Sequence, residues 1–267
     1  MKLEDYIYLD EQEKPLDHPV TDGGYCGILQ KVAVIGDSLS SGEFESCDEQ
    51  GNPGYHDMFE YSWGQFLARM AGITVYNFTR GGMTAKEYCE SFAEQNGFWD
   101  PEKKCKAYII ALGVNDIINQ KQEIGSTDDI CVEDYTKCKP TFMGYYGQII
   151  LRMKKIAPHA KFFLVTVPRE SDPVPTSGPE YEIACAINEL ANFFDRTYVI
   201  DLFRYAVAYD DNFKARFFMS GHMDAVGYQL TARMIASYID YIIRHNPDDF
   251  KTVGFINTDA YNVGYQP

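Results

Sequence analysis

Five short runs rich in β-branched and aromatic residues recur along the chain: Val32 to Ile35, Val75 to Phe78, Ala107 to Leu112, Phe162 to Val167 and Tyr198 to Leu202. A strand with one face in water alternates apolar and polar residues. These runs are largely apolar throughout, which is the pattern of strands covered on both faces. Between them lie helix-like stretches. Phe59 to Met70 places Phe59, Trp63, Phe66, Leu67 and Met70 on one side, and Thr141 to Ile156 stops just before Pro158. Strand and helix alternating in this way predict a parallel sheet reached by right-handed crossovers. The expected fold is α/β, a three-layer α/β/α sandwich around a five-stranded parallel sheet.

One such sheet can absorb all 267 residues. We expect a single domain over residues 31–245, preceded by an arm (1–30) that carries no readable motif and followed by a tail (246–267). With 45% hydrophobic and 15% aromatic residues the chain can build a sizeable core. A net charge of -15 opposes phosphate backbones and anionic lipid headgroups, so nucleic acid is not an expected partner. No apolar stretch is long enough to cross a bilayer, and the opening Met1-Lys2-Leu3-Glu4-Asp5 lacks the layout of a signal peptide. The expected location is the cytoplasm. Seven cysteines, an odd number without a C-x-x-C pair, suggest neither a disulfide framework nor a zinc site.

In an open parallel sheet, ligands gather beyond the carboxyl ends of the strands. The first three runs are followed there by Gly36-Asp37-Ser38-Leu39, Gly81-Gly82-Met83-Thr84 and Gly113-Val114-Asn115-Asp116, and Gly221-His222 with Gly227-Tyr228 stands near the C-terminus. A serine hydroxyl becomes a useful nucleophile only beside an imidazole that takes its proton, with donors placed where the carbonyl oxygen turns anionic. Ser38 sits at a strand-to-helix turn with free backbone N–H groups, Gly82 lets a substrate approach the backbone, and Asn115 supplies an amide donor. Two Gly-, Pro- and acid-rich segments, Ser41 to Asp57 and Pro168 to Pro179, read as irregular: either pocket walls or ordinary solvated loops.

The four clusters, in order and spacing, resemble the blocks of the SGNH, or GDSL, hydrolases across roughly residues 31–243. The resemblance implies a flavodoxin-like sheet and a serine esterase or acylhydrolase working through an acyl-enzyme, with no cofactor and no metal. It assigns Ser38 as nucleophile, His222 as base, and Ser38, Gly82 and Asn115 as the oxyanion hole. Gly81 then reads as a turn residue, and Asp37 and Asp116 as loop-fixing residues. His56 is the one rival to His222. The family usually carries an aspartate three residues before the histidine, where this chain has Met219. Asp224, which also reads as a helix N-cap, and Asp201, which ends the last strand, are the candidate orienting acids. A backbone carbonyl holding the imidazole in a Ser-His dyad is the alternative.

The expected partner is a small-molecule ester, with short-chain, above all acetyl, esters of carbohydrates the leading substrates. Abundant tyrosines suit sugar rings, though they also pack cores. A lysophospholipase, a thioesterase or a catalytically lapsed ligand-binding protein are the alternatives. A nucleotide-binding domain fails on detail, since no G-x-G-x-x-G or G-x-x-x-x-G-K-[ST] follows the first strand. The sequence does not fix the oligomeric state.

Overall fold

The computed structural model describes residues 7 and 9–261. Residues 1–6 and 8 of the arm and 262–267 of the tail lie outside the described residues. Along the chain come β1 (Lys31–Gly36), a single turn α1 (Ser38–Ser41), β2 (Glu43–Cys47), β3 (Pro53–Asp57), α2 (Trp63–Ala71) and β4 (Thr74–Thr79). Next are α3 (Ala85–Glu87), which widens through Tyr88–Phe92 into α4 (Ala93–Gln95), β5 (Ala107–Ala111), α5 (Phe142–Ile156), β6 (Lys161–Val165) and α6 (Pro179–Phe193). They are followed by β7 (Thr197–Ile200), α7 (Leu202–Tyr205), α8 (Asp211–Phe217), α9 (Ala225–His245) and α10 (Pro247–Phe250).

The five apolar runs form one parallel sheet in the order β4-β1-β5-β6-β7. Because side chains alternate across a strand, Val32 and Val34 of β1 enter the core under α2 and α9. Ala33 and Ile35 enter the opposite core, under α3, α5 and α6. Both faces of the central strands β1, β5 and β6 are therefore dry, which is why these three carry no polar alternation, whereas the edge strand β4 leaves Tyr76 exposed. The chain moves outward from β1 to β4 on one side, and to β5, β6 and β7 on the other. The gap where the order reverses is the expected ligand crevice of such a sheet.

The helices begin and end where local chemistry dictates. Ser62 Oγ accepts the N–H of Gln65 and Thr141 Oγ1 accepts that of Gly144, capping α2 and α5. Two expectations need correction. Phe59 to Met70 is not one helix: Phe59–Tyr61 is a 3₁₀ turn, and Ser62, at φ -64 and ψ 155, breaks it before α2 starts. The segment Ser41 to Asp57 is not irregular either, since most of it folds into the antiparallel hairpin β2–β3.

The arm packs along α9. Val20 N–H donates to Ser237 Oγ, Tyr25 N–H to Asp240, and Glu13 clasps Arg244 with both oxygens at 2.7 and 2.8 Å. Arg244 also meets Asp240 at 2.8 Å, and all three side chains are buried. No helix among the described residues is long and apolar enough to cross a membrane.

Removing one carboxylate from this buried cluster strands guanidinium charge in the core. Glu13→Ala should therefore cost about 3 kcal/mol of unfolding free energy in a urea titration, and Glu13→Gln less.

Candidate active site

β1 delivers the chain to its C-terminal edge, where Asp37 turns extended and accepts the Leu39 N–H on Oδ1 at 3.2 Å. That cap starts α1 with Ser38 as its first residue. After β4, Gly82 takes φ +70, a conformation in which other residues are strained, and an added Cβ would meet open space, so nothing crowds its backbone. After β5, Asn115 lies in a widened helical turn, Val114–Asn119. One amide N–H of Asn115 faces Met83 O at 3.2 Å, and a longer contact of 3.5 Å reaches Asp37 Oδ2. Its Oδ1 accepts from Asn119 at 2.7 Å. His222 sits between α8 and α9 in a tight loop closed by Met219 N–H donating to the His222 carbonyl at 2.9 Å.

Ser38, Gly82, Asn115 and His222, singled out on four separate stretches of sequence, line one cavity of about 390 Å³, together with Asp37, Glu43, Tyr55 and Asn119. Among the described residues no hydrogen bond joins Ser38 to His222. The two candidate orienting acids are engaged elsewhere. Asp224 caps α9 through the Gly227 N–H at 2.8 Å, and Asp201 caps α7 and accepts from Thr166 Oγ1 at 3.1 Å. Neither hydrogen-bonds the imidazole. His56 is on the hairpin, bonded to Ser46 Oγ at 2.8 Å.

The imidazole has carboxylate neighbours on both ring nitrogens. Nδ1 is 2.6 Å from Glu45 Oε1, and Nε2 is 3.2 Å from Glu43 Oε1. Both acids come from β2, two residues apart and hence on one face of the strand. The hairpin register sets Glu45 opposite Tyr55, whose ring meets His222 edge-on at 6.0 Å, and Glu43 opposite Asp57. Tyr228 of α9 anchors the hairpin by donating its hydroxyl to the Glu43 carbonyl at 2.7 Å. Asp57 is held by Ser41 Oγ and by the Gly81 N–H. At Gly81 an added Cβ would meet the Glu43 carboxylate, which would have to move aside.

Sequence reasoning missed Glu43 and Glu45 because the segment was read as a loop. The signal was present: Glu43-Phe44-Glu45 alternates, and Asp48 to Asn52 is a turn-rich connection to a second extended stretch.

Electrostatically the two acids differ. Burial works against the Glu45 carboxylate, yet hydrogen bonds from His222, the Gly221 N–H and Ser220 outweigh it and hold its pKa below the ordinary value. Glu43 moves the other way. Burial raises it despite the pull of His222, and the charges of Asp57 and Glu45 add to the rise. Beside Ser38, burial pushes the Asp37 carboxyl up to about 7, and burial likewise lifts Asp116, which accepts the Ala85 N–H, to about 6. A proton on Asp37 near neutrality limits negative charge beside Ser38.

The sequence matches the GDSL-like Lipase/Acylhydrolase family over residues 34–230, and the chain belongs to that family. Solved structures with this fold include a family two carbohydrate esterase from Clostridium thermocellum in complex with cellohexaose. It is 16% identical with TM-score 0.55, covering 82% of this chain and 65% of that one. An acetyl xylan esterase, AlAXEase, is 17% identical with TM-score 0.51, covering 78% and 99%. A protein from Lactobacillus plantarum is 15% identical with TM-score 0.54, covering 80% and 97%. Among curated proteins, none matches the sequence. The family and the fold together support an ester hydrolase.

The raised Asp37 pKa has a signed consequence. The folded state keeps a proton there that the unfolded chain has released, so stability declines as pH rises from the unfolded value toward and through about 7. Asp37→Asn keeps the cap but removes the titration. The loss of unfolding free energy between pH 5 and pH 8 should shrink by at least about 1 kcal/mol in the variant, measured by chemical denaturation at both pH values.

Proposed function

We propose that this chain is a serine ester hydrolase in which Ser38 is the nucleophile and His222 the base. The observation that carries the reading is the shared cavity: a hydroxyl, an imidazole and three potential N–H donors open onto one space. Ser38 Oγ attacks the ester carbonyl carbon while its proton passes to His222 Nε2. The backbone N–H groups of Ser38 and Gly82 and the Asn115 amide receive the developing oxyanion. Collapse expels the alcohol, which takes the proton from Nε2. Water then attacks the acyl-enzyme by the same route in reverse and releases the acid. The reading requires Nε2 to exchange Glu43 for Ser38 when substrate enters.

The preferred substrate class is a short-chain, acetyl ester of a carbohydrate. The cavity lining includes Glu43, Asn119 and the exposed ring of Tyr55, groups suited to hydroxyls and a sugar face. Toward the core, Asp37, Leu39 and Val114 also border a smaller, mostly apolar cavity of about 60 Å³, a volume matched to a few carbons rather than a fatty chain. Acetylated sugars are thus the first substrates to try, and the names of two similarly folded structures point to the same choice. A ligand-binding protein without turnover draws on one observation, the Nε2 contact with Glu43 in place of Ser38. It predicts that acetylated sugars bind unchanged.

Hydrolysis of p-nitrophenyl acetate and release of acetate from acetylated xylan decide the matter. Ser38→Ala should lower kcat by roughly 10⁴-fold or more, and Asn115→Ala by about 10²–10³-fold. Equal rates for wild type and Ser38→Ala would remove the enzyme. Rates should fall steeply from acetate to octanoate esters, and a rise would favour a lysophospholipase.

A further inference from the structure

We propose that Glu45, on the first strand of the β2–β3 hairpin, is the acid that positions the His222 imidazole, taking the place of the residue this chain lacks ahead of its histidine. The inference rests on the esterase reading for its kinetic meaning, but its geometry stands alone. Glu45 Oε1 is 2.6 Å from His222 Nδ1 and accepts the Gly221 N–H at 2.8 Å, so one oxygen is tied both to the ring and to the backbone that carries it. Its side chain is 11% exposed and that of His222 17%, which keeps water from competing for the contact.

The alternatives are spent. Met219, at the usual position, is 42% exposed and offers no carboxylate. Asp224 and Asp201 cap helices.

A carboxylate on Nδ1 does two things. It fixes the tautomer with the proton on Nδ1, leaving the Nε2 lone pair free to take a proton, and it stabilises the imidazolium once that proton arrives. Other titratable groups face the ring or its partners as well: Glu43 and Tyr55 beside the ring from β2 and β3, and Asp57 beside Glu43. Asp37 lies across the cavity, and Tyr228 reaches Glu43 from α9. Of these only Glu45 reaches Nδ1. Glu43 faces the opposite nitrogen, the one that must be vacated for Ser38, and therefore cannot serve as the orienting acid. The hairpin thus grips the histidine from the side, far from it in sequence.

The test uses the full-length protein and four variants. Glu45→Gln should lower kcat for p-nitrophenyl acetate by about 10²–10⁴-fold with KM nearly unchanged, and should move the acidic limb of the kcat/KM profile to lower pH, because the imidazolium loses its counter-charge. Glu45→Asp should recover part of kcat and return the limb toward its wild-type position. Asp224→Asn should leave that limb in place.

Independently of turnover, the downfield Nδ1–H proton of His222, seen by NMR below the pH at which the ring deprotonates, should persist in Ser38→Ala and vanish in Glu45→Gln. If Glu45→Gln keeps that resonance, or keeps the wild-type pH limb and kcat, the assignment is overturned. If the wild type hydrolyses no ester but the resonance still depends on Glu45, the esterase reading fails while the positioning of the ring stands.

Discussion

Every distance in the candidate site depends on β1 being held between β4 and β5. The parallel pairing on both sides fixes the level at which three strands end, and that common edge brings Asp37-Ser38, Gly82 and Asn115 around one opening. Two dry faces hold the pairing in place, since each residue of β1 from Val32 to Ile35 is fully buried in one of two opposite cores. A polar residue in that run would cost the register as well as the core. The site is therefore a by-product of sheet order: the strands are apolar for the fold, and their last residues are left to do chemistry.

Much of this was legible in the amino acids. The five strands fall where continuous apolar runs require them, and the glycine-bearing clusters after the strands mark the cavity edge. The choice of Ser38, Gly82, Asn115 and His222 within those clusters comes from the resemblance to the SGNH blocks, because a lone Gly-Asp-Ser or Gly-x-Asn-Asp is also an ordinary strand-ending turn.

What escaped was the hairpin. Its strands, Glu43–Cys47 and Pro53–Asp57, carry acids, glycine, proline and serine, a composition that reads as loop when local preference is the guide. They are strands because Phe44 packs on Tyr61 and Tyr228, and because the Tyr228 hydroxyl of α9 donates to the Glu43 carbonyl, contacts distant in sequence that no window of residues contains. The acid beside the histidine was hidden for the same reason. A search upstream of His222 could only find Met219, while Glu45 arrives from the other end of the chain. Likewise, the break at Ser62 was invisible to a pattern that saw one apolar face from Phe59 to Met70.

The imidazole and its carboxylate neighbour are separated by 177 positions. A ribosome releasing this polypeptide from its N-terminus produces the hydroxyl, the hairpin and both strands flanking β1 long before it produces the ring they surround. Domains fold largely as units during synthesis, and the ring meets its carboxylate only after the whole sheet and the hairpin have been made. The contact between ring and carboxylate thus ties the C-terminal part of the polypeptide to its N-terminal third.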